Sequence, residues 1–409
     1  MTSLPDYDVV ITGGGMTGAS LAVALSQENI RIAIIEAVSP RAGNQPSYDD
    51  RSLALSLSSQ RILQGLGLWD AVSTTANPVQ HIHVSDRHHF GFVRLHAETM
   101  HIPALGYVVI ARELGRVLLE KISKTKNIDL ICPAKVNDIV IQSDRVIVNL
   151  QGTDQKSISG RLIVAADGSH SRVVELLGIE TMVKDYGQTA IVTNVTPGRQ
   201  HQNTAYERFT SHGPLALLPL NDNRCAVVFT VYHDEAEAFM NLDENVFLNQ
   251  LQSRFSRRLG EFKRLGNRKS YPMQLIHTKE QVRERIVVLG NSAHTIHPNG
   301  AQGFNLCLRD VAGLAETLIY AFRSGIDPGQ RQVLNQYRDL REHDQIAVIR
   351  FTDSLAGLFY NDLPHKVLLR NTGMLLMDSF PLLKKAFMQR AMGIYGHQPA
   401  LVRGVPLCQ

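Results

Sequence analysis

Cysteine is scarce in this chain. Cys132, Cys225, Cys307 and Cys408 are the only four in 409 residues, and they lie far apart with no C-x-x-C pair. That spacing excludes the usual zinc and dithiol frameworks and fits a reducing compartment. Tryptophan is scarcer, with Trp69 alone. No stretch reaches the ~18 uninterrupted apolar residues of a spanning helix, so any membrane association is expected to be peripheral. Internal repeats and low-complexity tracts are also lacking. The 42 Lys and Arg against 38 Asp and Glu leave a net charge of +4 that is dispersed rather than held in one block, which argues against a nucleic-acid partner. The opening MTSLPDYDVVI carries Asp6 and Asp8 and no basic n-region, so it reads as neither signal nor transit peptide. The expected location is the cytoplasm, with a peripheral position on the inner face of the membrane as the refinement.

The 409 residues are enough for two or three domains, and the 44% hydrophobic content can fill at least one large core. Residues 8–12 are β-branched and apolar, 16–28 have helical spacing and 31–36 are apolar again, which is a strand, helix, strand opening. A loop rich in Pro, Gly, Asn and Ser follows from Ser39 to Ser47, then a helix-like stretch from Leu53 to about Leu66. Strand-like runs at 81–86 and 90–95 precede a helix near Glu113, and 129–165 alternates before ending in RLIVAAD. From Thr189 to about Gln274 the pattern is mostly strands, with one polar helical stretch at 234–258. RIVVLG at 285–290 restarts the nucleotide-binding pattern, and beyond 303 the chain reads as helical.

Three separated motifs carry chemistry. In Gly13-Gly14-Gly15-Met16-Thr17-Gly18, Gly13 permits the turn out of the strand, Gly15 lets backbone approach a pyrophosphate, and Gly18 lets the helix pack on the sheet. Glu36 closes the second strand, where its carboxylate suits a ribose diol. This turn alone does not separate FAD from NAD. Asp167-Gly168 sits at a strand's carboxyl end, where ligands of doubly wound sheets gather; a helix cap for the helix near Ser171 is the competing reading of Asp167. The third motif, GNSAHTIHPNGAQGFNLCLRD from Gly290 to Asp310, is a strand, a glycine-bearing loop and a helix start whose amides suit an anionic edge.

Together these motifs resemble the aromatic-ring flavin monooxygenases of the p-hydroxybenzoate hydroxylase type. HVSDR at 83–87, ERFTSHGPLALLPL at 207–220 and TDSL at 352–355 are similar to the ubiquinone-biosynthesis hydroxylases within that group. The resemblance implies FAD as cofactor, with Arg51, Arg112, Asn291, Gly300, Gln302, Gly303, Phe304 and Asn305 joining the motifs already described. It implies NADH or NADPH as reductant, molecular oxygen as co-substrate, and hydroxylation of a polyprenylated phenol through a flavin C4a-hydroperoxide. Two positions depart from the family pattern: Asn291 stands where Asp is usual, and Ala301 where the common loop has glycine.

The fold so implied is α/β, α+β overall. A Rossmann-like FAD-binding domain is expected from 1–75, 101–178 and 283–330, a mostly antiparallel substrate-binding sheet domain from 76–100 and 179–282, and a helical region from 331–409. His297 and Pro298 are the candidate catalytic positions, His297 because imidazole titrates near neutrality, with a loop hydrogen-bonding role as the competing reading. Phe209, Leu217 and Pro219 are the candidate substrate contacts by resemblance, with plain core as the alternative. His81, His83, His88 and His89 lack a completing ligand set, so no metal is expected. Trp69 alone argues against a halogenase, and the absent cysteine pair against a disulfide reductase. An isoprenoid reductase and a non-catalytic flavin scaffold remain as alternatives. Residues 364–395 interleave four of the ten methionines with leucines and cations, which fits either a packed helical pair or a surface for a membrane or a biosynthetic complex. Oligomeric state is left open.

Overall fold

The computed structural model describes residues 4–39, 49–359, 363–396 and 398–407. Cys408 and the loop after Ser39, residues 40–48, lie outside the described residues. A parallel sheet forms because the first strand, Tyr7–Thr12, is apolar on both faces and pairs on one side with Ile32–Ile35 and on the other with Ser157–Ala165. Ile286–Val288 and Ile128–Ile131 extend it in the same direction. Val9 and Ile11 pack among the helices Met16–Leu25, Ala111–Ser123 and Gln302–Arg323, whereas Val10 joins the opposite layer with Val146, Val148 and Val173. Both faces of the strand are therefore dry, as in sheets covered on two sides.

A nine-stranded sheet, mostly antiparallel, is built around the 17-residue strand Thr181–Pro197 and reaches back to His81–Asp86 and Phe92–His96. The helix Glu244–Phe255 covers one face, laying Phe247, Leu251 and Phe255 on Ile191, Leu217 and Phe229. Ser52–Ser56, Gly106–Ile110 and Asn77–Val79 form a small third sheet, whose Val79 and Val108 pack on Ala205, Leu220 and Ala226 of the nine-stranded one. The C-terminal part is helical: Gln302–Arg323, Arg331–Phe359, Pro364–Ser379 and Pro381–Ala391. The Pro364–Ser379 helix is tied to the nine-stranded sheet by Asp86, which takes Arg370 Nε at 2.6 Å and Asn371 Nδ2 at 2.8 Å.

Two sequence expectations change. The stretch from Leu53 begins as a strand, and its helix starts at Leu57, because Ser56 takes the extended N-cap conformation and its hydroxyl accepts the Ser59 N–H. The polar helical stretch at 234–258 is two helices, Ala236–Asn241 and Glu244–Phe255, interrupted by extended backbone at Leu242.

Candidate functional site

The glycine turn is locked by contact rather than by flexibility. Gly13 has φ +94°, and a Cβ there would collide with the Ala166 carbonyl oxygen. A Cβ at Gly18 would run into the carbonyl of Gly13, so the helix Met16–Leu25 can approach the turn only as glycine. Glu36 is nearly buried. Its Oε2 accepts the Gly14 N–H at 2.7 Å and its Oε1 the Val38 N–H at 2.8 Å, which clamps the turn against the second strand.

The helix Arg172–Leu176 is capped by Ser171, whose hydroxyl accepts the Val174 N–H at 3.1 Å, and Asp167 backs that cap: Oδ1 accepts the Ser171 hydroxyl at 2.5 Å and Oδ2 the Val173 N–H at 3.3 Å. It also reaches the third motif. Ser292 donates to Asp167 Oδ1 at 3.2 Å and accepts the Gly168 N–H at 3.0 Å, so the second and third motifs are bound to each other. The amide oxygen of Asn291 accepts the Cys307 thiol at 3.5 Å, a thiol that burial pushes up to about 12 and so keeps protonated.

Asn305 holds the flavin-like loop in place. Its Oδ1 accepts Ser56 N at 2.8 Å and Ser59 Oγ at 2.7 Å, while its Nδ2 donates to the carbonyls of Ala54 at 2.8 Å and Ala301 at 2.7 Å. Gln302 donates to the carbonyls of Gly300 and Ala391, and so ties the loop to the last long helix.

These parts enclose a cleft of about 840 Å³ lined by Gly13, Gly15, Thr17, Glu36, Arg51, Asp167, Gly168, Asn291, Gly303 and Phe304. A glycine-lined turn, a helix N-terminus, a carboxylate beyond the second strand and a basic residue fit an adenine dinucleotide. Arg51 pairs with Asp49 at 2.8 Å and lies over the Tyr271 ring, 4.9 Å from its centre. Arg112 does not line this cleft. It is exposed, pairs with Asp50 at 2.6 Å, and borders a side pocket that shares Arg51.

A second, smaller cavity of about 170 Å³ opens beside the first and is walled mainly by apolar side chains. The two share Ala54, Leu218, Val228, Pro298 and Ala301. Phe209, Leu217 and Pro219 do not line it. Phe209 stacks on Phe359 with centroids 3.5 Å apart, and Leu217 is buried under the helix Glu244–Phe255. The cavity-lining residues of that strand are Pro214, Ala216 and Leu218, the opposite set in a period of two. His297 lines neither cavity. It is buried edge-on against Tyr186, and desolvation pushes its imidazole down to about 4, so it is neutral near pH 7. Among the described residues, no group of three or more His, Cys, Asp or Glu is placed to hold a metal ion.

The family model for the FAD binding domain matches residues 6–352. Ubiquinone hydroxylase UbiL of Rhodospirillum rubrum is 36% identical over 403 residues, covering 98% of this chain and 93% of that protein. The chain belongs to the FAD-dependent ubiquinone hydroxylases. The 3-demethoxyubiquinol 3-hydroxylase of Escherichia coli is 30% identical over 402 residues, with 96% of this chain and all of that one covered. In fold, the hydroxylase is similar to p-nitrophenol 4-monooxygenase PnpA of Pseudomonas putida, with a TM-score of 0.80 at 18% identity over 96% of this chain and 99% of that one. The cofactor is FAD.

The hydroxylase carries its loop strain at an unexpected residue. Gly303, one of the cofactor positions implied by the resemblance, is helical, and a Cβ there would meet only Ile296 at 3.9 Å. The left-handed positions are Gly300 at φ +64° and Ala301 at φ +51°. A left-handed alanine costs roughly 1–2 kcal/mol, while glycine gives back about 0.4–1 kcal/mol through the freer unfolded chain. Ala301→Gly is therefore expected to raise stability by about 0.5 kcal/mol with FAD retained. Urea midpoints of the two apoproteins decide this, and a lower midpoint for the variant would place the strain elsewhere.

Sequence reasoning missed two features. Glu207 lines the apolar cavity, and its Oε1 accepts the Gly300 N–H at 3.3 Å. Enclosure pushes its carboxyl up to about 7, opposed only by that hydrogen bond. Behind the loop, Asp310 is fully buried between His294 Nε2 at 2.6 Å and Arg341 Nε at 2.8 Å. ERF in the strand pattern and RD at the motif's end were the only signals.

Proposed function

We propose that the hydroxylase oxidises a polyprenylated phenol in ubiquinone biosynthesis, using NADH or NADPH and molecular oxygen. The observation that carries this reading is the apolar cavity joined to the dinucleotide cleft at Pro298 and Ala301, which would set a phenol ring beside the isoalloxazine end of FAD. The glycine turn, Glu36 and Arg51 would hold the adenosine diphosphate half, and Asp167, Asn291 and the loop from Gly300 to Asn305 the flavin half. Bound FAD supplies the electron transfer and the activation of oxygen. The chain's part is to orient the ring, exclude water and move protons. Segments 83–87, 207–220 and 352–355 resemble 2-octaprenyl-6-methoxyphenol hydroxylases, which makes a methoxyphenol with a long tail the first substrate to try.

Support for the tail comes from the last helices. Met388 and Met392 wall the cavity, while Leu368, Leu369, Leu382 and Leu383 of the same helical pair are more than half exposed. One side of this pair touches the cavity and the other offers a polyprenyl chain an apolar exterior. That exterior also suits a membrane surface or a partner of a biosynthetic complex. Among the described residues no helix is long and apolar enough to cross a membrane. Lys384 is paired with Asp378 at 2.8 Å and Arg390 lies over Tyr395, so Lys385 is the better reporter of charge attraction on this face.

The test is oxidation of NAD(P)H by the FAD-loaded protein with prenylphenols of different tail lengths, together with ¹⁸O₂ labelling of the product. Substrate-stimulated oxidation with one labelled oxygen in the ring supports the reading. Loss of a tail double bond would make the protein a reductase, and no stimulation by any phenol would remove this substrate class.

A further inference from the structure

We propose that Glu207 is the catalytic base that takes the phenolic proton of the substrate. The proposal rests on the cavity being the phenol's site. Among the described residues lining that cavity, Glu207 carries the only carboxylate, and none is a lysine, arginine or histidine. Its place is at the junction of the two cavities, because the N–H it accepts belongs to Gly300, next to Ala301, which lines both. Across its strand it faces Val84 on one side and Ala216 on the other, so no charged side chain competes for it there. The remaining titratable groups of the cavity are Tyr107 and Tyr206, whose phenols are raised by burial and stay protonated. Such hydroxyls can donate to the substrate's phenolic oxygen but, being protonated, cannot take its proton. His297 is outside the cavity.

The carboxyl is enclosed by protein, yet part of its surface is open to the cavity, so it can meet a ligand. A base poised near neutral pH is the one that general base catalysis favours. In the step, the phenol O–H bond breaks, its electron pair stays on oxygen, and the proton goes to the Glu207 carboxylate. The phenolate enriches the ortho and para carbons in electrons, which favours capture of the electrophilic oxygen derived from O₂. The attacked carbon then loses its proton to solvent as the ring rearomatises, and Glu207 returns the phenolic proton to the first oxygen. NAD(P)H supplies the two electrons, and the second oxygen atom leaves as water.

The variant to make is Glu207→Gln, which keeps an oxygen for the Gly300 N–H but cannot accept a proton. Hydroxylation in a single turnover is expected to fall by about 100-fold or more, with FAD content unchanged and NAD(P)H oxidation diverted to hydrogen peroxide. In the parent, the hydroxylation rate should rise with pH through about 7 and then level, because the deprotonated form is the base. In the variant that rise should move to the pKa of the phenol itself, and phenols acidified by fluorine should recover rate. Glu207→Asp should recover part of the loss. A Gln variant with the parent's rate and pH profile overturns the proposal. If the variant holds FAD poorly, the parent's profile decides: a rate flat from about pH 5.5 to 8.5 overturns it as well. Failure of the parent to hydroxylate any phenol would instead count against the substrate reading.

Discussion

Replacing Arg341 by methionine is expected to lower stability by about 3–5 kcal/mol, the range for removing one partner of a buried ion pair. Arg341 is fully buried and donates to Asp310 at 2.8 Å and to Asp344 at 2.5 Å, while Arg309 donates to Asp344 at 2.8 Å. The network joins the helix that begins at the flavin loop to the helix Arg331–Phe359, and through His294 to the short strand before that loop. Burial raises the Asp310 carboxyl, but Arg341 and then His294 outweigh it and leave the group lowered. Asp344 is held at about 2 in the same way: burial raises it and the two arginines prevail. A carboxyl lowered in the folded state contributes stability that is present above its ordinary value and lost as pH falls through the folded one. In Arg341→Met, burial acts on Asp310 without its chief partner and raises its carboxyl, so the deficit relative to the parent should shrink as pH falls toward the ordinary carboxylate range. Adding Asp310→Asn should recover part of the loss. Urea unfolding at three pH values tests this, and a deficit under 1 kcal/mol at pH 7 would show that the pair is not holding the loop's helix.

Gly13→Ala should weaken FAD binding by about 100-fold or more, equivalent to ~3 kcal/mol. Two independent faults add here: φ of +94° is a region that alanine avoids, and the methyl group would overlap the Ala166 carbonyl and the Asp167 backbone. Relief requires parting the first motif from the second, which is the wall of the cleft. Gly300→Ala is the control, since its φ of +64° is strained yet a Cβ there has no atom within 4 Å. It should cost only about 1 kcal/mol and keep FAD. Flavin fluorescence titration separates the two, and equal affinities for both variants would mean that the collision at Ala166 is relieved without moving the cleft.

Legibility of this site in the sequence followed the range of the interactions. The glycine turn, Asp167-Gly168 and the loop from Gly290 were readable because local chain geometry demands those residue types in order. Apolar runs at 8–12 and 31–36, with helical spacing between them, announced the strand, helix, strand opening. The substrate side was less readable: GPLALLPL is apolar at nearly every position, so nothing in the alternation chose Ala216 and Leu218 over Leu217 and Pro219. Arg341 and Asp310 are 31 positions apart on different helices, and no pattern pairs them. Glu207 was read only as part of a family-like segment, since the enclosure that makes it chemically distinct comes from stretches far apart in the chain, among them 54–56, 298–302 and 388–392.

The first strand, Tyr7–Thr12, is also the middle of its sheet, and one of its neighbours, residues 160–165, lies 153 positions downstream. At ribosomal speeds of 5–20 residues per second, about 8–30 s pass before that neighbour exists. Until then the nascent chain carries an apolar strand with an open edge, the state that chaperones shield. The turn at Gly13 cannot close on Ala166 earlier, and the cleft residues from Asn291 to Cys307 emerge later still, so cofactor capture must wait for the last third of the chain.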